Sequence, residues 1–135
     1  MSLHGDPPGW VEPLLKRLMQ LLPLPQDWDS YGGLPVAPAN VWAAWHVLTR
    51  LMREQLPLPA LVPTRRGGVQ IEWHRRGIDL EIEVLAAGRL LVSFEDAHSG
   101  ESWEREWLDD LAGLLPHLAR LETPVDTTAN ARSAP

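Results

Sequence analysis

The feature that most constrains this chain is a change of hydrophobic period partway along it. In VQIEWH, Val69, Ile71 and Trp73 alternate with Gln70, Glu72 and His74; in IDLEIEV, Ile78, Leu80, Ile82 and Val84 alternate with Asp79, Glu81 and Glu83. Strict alternation over such lengths marks antiparallel strands with one buried and one wet face. Both apolar sets stay on the same side of a sheet only if the loop between them is even. The two-residue loop Arg76-Gly77 meets that condition, pairing Trp73 with Leu80 and Ile71 with Ile82. The same register sets His74 opposite Asp79 and Glu72 opposite Glu81. A third strand is predicted over 89–95, after the loop Ala86-Ala87-Gly88, with Leu90, Val92 and Phe94 continuing the buried face. A fourth is expected over 102–106, within the charged stretch SWEREW.

Before residue 57 the period is helical. Val11, Leu14, Leu15, Leu18 and Leu22 share one face of a helix predicted over 10–22, with Pro13 in its first turn and Pro23 and Pro25 ending it. A second helix is predicted over 38–56, starting at Pro38, with Val41, Trp45, Leu48, Met52 and Leu56 inward and Trp42, His46, Arg50 and Arg53 outward. Between the two helices the prolines and glycines of segment 23–38 forbid regular structure over a stretch too long for a casual connection, and residues 57–63, with three prolines, read as a stiff extended bridge into the second half. A last helix is expected over 108–121, kinked or split at Pro116, and 122–135 read as a disordered tail. The fold class is therefore α+β: one domain over 1–121, with two N-terminal helices, an antiparallel meander of three or four strands, and a C-terminal helix.

Composition narrows the functional classes. The 135 residues carry 12 basic and 18 acidic side chains, a net charge of −6, which opposes a phosphate backbone and disfavours nucleic acid as a partner. There is no cysteine, which removes disulfides, thiolate ligands and thiol nucleophiles and fits a cytoplasmic setting. The N-terminal residues show no basic-then-apolar pattern of a signal peptide, and no apolar run is long enough to cross a membrane.

Two constellations could carry chemistry. The first is the acidic strand face, with Glu72, Asp79, Glu81, Glu83 and Glu95 around His74. Opposed carboxylates on neighbouring strands repel unless a cation lies between them. Three readings stay open: a solvated face, a docking surface for a basic partner, and a divalent-metal site of Glu72, His74 and Glu81. The second is the loop Asp27-Trp28-Asp29-Ser30-Tyr31-Gly32-Gly33. It fails as a calcium loop, because Tyr31 and Pro38 occupy ligand positions, and as a phosphate loop, because no Lys-Ser/Thr follows the glycines. Trp28 and Tyr31 either clamp this loop to the helices or, with Asp29, form a recognition loop. Among seven Trp, Trp42 stands out on the polar stripe of the second helix, beside His46 and Arg50, where Trp and Arg are common interface anchors. No nucleophile elbow and no His-Glu-x-x-His motif occurs.

The W-D-S-Y-G-G segment at 28–33, followed after the proline bridge by G-G-V-Q-I-E-W at 67–73, resembles a family of small uncharacterised bacterial proteins. That family carries a W-D-x-Y-G loop and a G-G-x-x-x-E-W strand; the resemblance spans roughly residues 23–95. It implies a bacterial source and no transferable activity.

The leading functional expectation is a non-enzymatic interaction protein, an accessory or neutralising subunit that needs no cofactor. It would dock a basic protein partner through Trp28, Asp29, Tyr31, Trp42, Glu72, His74, Glu81 and Glu83. A metal-dependent hydrolase built on Glu72, His74 and Glu81 is the alternative, and a self-associating subunit a third.

Overall fold

The alternating segments form the strands that their period requires, and in the expected register. In the computed structural model, which describes residues 6–85 and 88–122, a five-stranded antiparallel meander runs in the order β1 (Ala60–Pro63), β2 (Val69–Arg75), β3 (Ile78–Leu85), β4 (Arg89–Asp96) and β5 (Glu101–Glu106). Trp73 pairs with Leu80, Ile71 with Ile82, Glu72 with Glu81 and His74 with Asp79. The β2–β3 turn closes through Arg76 and Gly77 at φ 52° and 80°, the left-handed pair that a two-residue hairpin of matching twist demands.

The strand count is five rather than three or four. The fourth expected strand is β5, paired to β4 from Leu91↔Glu106 to Asp96↔Glu101. The added strand, β1, lies inside what reads in sequence as a proline bridge, and pairs with β2 through Leu61↔Ile71. Prolines fit there because β1 is an edge strand, where a missing N–H breaks no ladder. Its outward carbonyls are partly occupied: Arg17 Nε donates to the Leu61 carbonyl at 2.9 Å.

The helices lie on the apolar face of the sheet. Helix α1 (Val11–Leu21) buries Leu14, Leu18 and Leu21, and α2 (Pro38–Leu51) buries Asn40, Val41, Ala44, Val47, Leu48 and Leu51. These meet Val69, Ile71, Trp73, Leu80, Ile82, Val84, Val92 and Phe94 in one core. Helix α2 ends five residues before the expected Leu56. Met52 turns extended, at ψ 145°, and a turn from Arg53 to Leu56 delivers Leu56 to the core ahead of Pro57, whose ring disfavours helix at the preceding residue. Trp45, expected inward, is half-buried and packs against the core, its ring 5.9 Å from that of Trp10, while Ala44 and Val47 beside it are buried. Pro116 splits the C-terminal helix as expected, into a 3-10 turn (Leu111–Leu114) and a short α3 (Leu115–Ala119). The tail expected over 122–135 lies, except for Glu122, outside the described residues, as do Ala86 and Ala87 of the β3–β4 loop. Among the described residues no helix is long and apolar enough to cross a membrane.

Candidate functional site

Among the described residues all the helices lie on one side of the sheet, and no helix covers its other face. Alternation and register together place Gln70, Glu72 and His74 of β2, Asp79, Glu81 and Glu83 of β3, Leu91, Ser93 and Glu95 of β4, and Ser102, Glu104 and Glu106 of β5 on it. Two arginines pair with carboxylates of this face, Arg66 with Glu83 and Arg89 with Glu106 at 3.2 Å.

His74 organises the centre. Its Nδ1 lies 2.6 Å from Asp79 Oδ1, while Nε2 lies 3.2 Å from Glu72 Oε1 and 3.5 Å from Glu81 Oε2. The hydrogen bond to Asp79, and that to Glu72 behind it, raise the imidazole pKa above its ordinary 6.5 against the opposing effect of partial burial. Glu81 also titrates above its usual range, through burial first and then repulsion from Glu72, because the two carboxylates are directly opposed across β2 and β3. The cluster therefore holds negative charge in excess of what its single histidine can neutralise.

The same atoms have the donor set of a cation site. One ligand atom each from Glu72, His74 and Glu81 lies within 4.8 Å of the others. Asp79 accepting from Nδ1–H would leave the Nε2 lone pair aimed at the two glutamates, the arrangement by which a carboxylate orients a metal-binding histidine. The residues thus fit a divalent ion with open positions. Glu83 is set apart from this group. It is buried and ion-paired with Arg66, so it adds charge to the face but little accessible surface.

The Asp27–Gly33 loop is built from its own polar groups. Asp29 Oδ1 accepts from the backbone N–H of Tyr31 at 2.9 Å and of Gly33 at 2.8 Å, and Asp27 Oδ1 accepts from Gly32 N–H at 2.6 Å. The Tyr31 amide, with Gly33 and Arg65 assisting against burial, holds Asp29 below the usual carboxylate range. Asp27 and Ser30 sit at φ 65°, a left-handed conformation that non-glycine residues adopt at some cost. Trp28 is half-buried and donates from Nε1 to the Leu34 carbonyl at 2.8 Å. Tyr31 does not clamp the loop: it is 76% exposed, with the Arg65 guanidinium 6.0 Å from its ring.

Sequence reasoning missed Arg65 and Arg66. Arg65 Nε pairs with Asp29 Oδ2 at 3.0 Å, and the Arg65 carbonyl accepts from Leu34 N–H, so the β1–β2 turn ties down the loop. The two stretches W-D-S-Y-G-G and G-G-V-Q-I-E-W, far apart in sequence, are therefore adjacent in space. Gly67 reinforces the join, its carbonyl accepting from Ala37 N–H at 3.1 Å and from the buried Asn40 Nδ2 at 2.8 Å. The only signal for this in the sequence is the Arg-Arg-Gly-Gly turn itself. Trp42 belongs to neither constellation; it stands 66% exposed on α2, on the opposite side of the sheet from Glu72, His74 and Glu81.

Comparison with protein-family models, with curated proteins and with solved structures finds no match to this chain.

Proposed function

We propose that this protein is a non-enzymatic, cytoplasmic binding protein that docks a basic protein segment on the outer face of its sheet. One observation carries the reading: among the described residues no helix covers the outer face, which gathers Glu72, Asp79, Glu81, Glu95 and Glu104 around His74. Partner guanidinium or ammonium groups lying between Glu72 and Glu81 relieve a repulsion that the folded protein otherwise retains, which favours association with cations. The lack of cysteine agrees with a reducing compartment. A bacterial source, which the resemblance to small bacterial proteins implies, is part of the same proposal.

The test is calorimetric titration with an arginine-rich peptide at low and moderate salt. Saturable binding is expected, lost in Glu72→Lys/Glu81→Lys and retained in Glu12→Lys/Glu54→Lys, which changes net charge equally on another part of the molecule. Equal loss in the two variants would show net charge at work and reject a docking face.

A divalent-metal site is the second reading, favoured by the Asp79–His74 bond that would orient Nε2 toward Glu72 and Glu81. Titration with Mn²⁺, Mg²⁺ and Zn²⁺ separates it from the first. A metal site saturates at one ion per chain and is abolished by Glu81→Gln, whereas a docking face shows no such stoichiometric uptake.

A further inference from the structure

The two edges of the meander differ. At one, β1 is four residues long, ends in Pro63, and has its Leu61 carbonyl taken by Arg17. At the other, β5 runs for six residues without a proline. The Trp107 N–H donates to the Leu90 carbonyl at 2.8 Å, which sets the alternation of the β4–β5 ladder. Glu101, Trp103 and Arg105 bond to β4, and the N–H and C=O groups of Ser102, Glu104 and Glu106 point away from the sheet. Among the described residues no main-chain group outside the strand bonds any of these six. Such an edge is a template for a further strand.

The side chains of β5 say which strand fits. Glu101, Trp103 and Arg105 lie on the helix side, since Trp103 is opposite the buried Phe94, while Ser102 and Glu104 lie on the outer face and are exposed. Trp103 Nε1 and Arg120 each donate to the Glu101 carboxylate at 2.9 Å, and the Arg105 guanidinium lies 5.1 Å from the Trp103 ring. The helix-side row therefore reads acid, aromatic, base, and an antiparallel copy of it reads base, aromatic, acid. A two-fold axis normal to the sheet, between two Trp103 residues, sets Glu101 of each copy opposite Arg105 of the other. The two Trp103 form a non-hydrogen-bonded pair, where side chains stand closest, and Ser102 meets Glu104 on the outer face. Moving the axis to Glu104 or Arg105 opposes two glutamates or two arginines, and moving it to Ser102 leaves only residues 101–103 of each strand paired. Charged side chains protect an edge when they repel a second copy; this row attracts one. We infer that this chain forms a two-fold dimer by antiparallel pairing of β5 with β5 of a second copy, centred on Trp103, which joins the two meanders into one sheet. The acidic outer faces lie side by side in that sheet and stay uncovered, so the inference stands independently of the docking function proposed above.

The experiment is sedimentation equilibrium of the full chain from low micromolar to submillimolar concentration, with circular dichroism as a check on folding. A concentration-dependent monomer–dimer equilibrium is expected. Glu104→Pro should abolish it without loss of fold, because the N–H that it removes points away from β4. Arg105→Glu, which opposes two acids at each end of the pairing, should weaken it at least about fivefold. Register is read by cross-linking. The chain has no cysteine, so Ser102→Cys and Glu104→Cys each carry a single exposed thiol. In the inferred register these positions are hydrogen-bonded partners with Cα atoms about 5.5 Å apart, within disulfide reach. A mixture of the two variants under mild oxidation should therefore give a mixed disulfide dimer several-fold faster than either variant cross-links alone. A folded wild-type monomer at all concentrations overturns the inference, as does a dimer that survives Glu104→Pro or is indifferent to Arg105→Glu. Cross-linking as fast in either variant alone as in the mixture overturns it too, since the axis then lies elsewhere.

Discussion

His74 is the residue on which the electrostatics of the sheet face turn. Its bonds to Asp79 and Glu72 raise its pKa in the folded chain, so protonated His74 stabilises the fold fully below its unfolded value near 6.5, and that contribution fades as pH rises through the higher folded value. Glu81, also raised, acts in the same direction at lower pH: the fold is favoured where Glu81 is protonated, and this is lost as pH climbs through its folded pKa. NMR titration of the His74 ring should give a midpoint above 6.5, and Asp79→Asn should bring it down; an unshifted midpoint in the native protein would contradict the geometry of the cluster. The docking surface should respond oppositely to the fold, with affinity for a cationic peptide rising as His74 loses its proton. Backbone space sets a second residue-level expectation. A Cβ at Gly68 would stand 2.6 Å from the Val84 carbonyl, an atom of the β3 backbone that cannot swing aside. Gly68→Ala should therefore lower stability by about 1–3 kcal/mol in urea unfolding, as overpacked sites do, and disturb β2–β3 pairing.

At the level of elements, the parts readable from sequence are those whose evidence is local. The β2–β3 hairpin was legible to the residue, because alternation fixes the faces and a two-residue loop fixes the register, and the Glu72, His74, Asp79, Glu81 cluster follows from that register alone. Strand β1 was not, since four residues ending at Pro63 give too short a run for a period to show, and its pairing depends on β2 already being in place. The inner face of α2 was legible at Val41, Leu48 and Met52, which are buried, and less so at Trp45, which packs half-buried at the margin of the core, because this helix is apolar on most sides. The ties Arg65–Asp29 and Arg66–Glu83 join residues distant in sequence, and only the assembled fold brings them together. Asn40 joins these elements: buried, it donates to the Gly67 carbonyl and so fixes the start of α2 to the β1–β2 turn. Asn40→Ala should cost about 1–3 kcal/mol in chemical denaturation, the range for a broken buried hydrogen bond. A change within error would mean that the turn and the helix are held by packing alone.

For the molecule as a whole, the division of labour is between two faces of one sheet. One face is covered by helices and makes the core; the other, which no helix covers among the described residues, is acidic, and binding of a basic segment there is the central claim. Long-range attraction to such a face is screened by salt over about 8–10 Å at physiological ionic strength, so affinity should fall steeply as salt is added. The most direct test follows the backbone amide NMR signals of the labelled protein during titration with an arginine-rich peptide. If the outer face is the docking surface, the shifted amides cluster at Glu72, His74, Asp79, Glu81, Glu95 and Glu104, and those of α1 stay in place. Shifts spread over all acidic regions of the chain, or confined to the helix side, would contradict it.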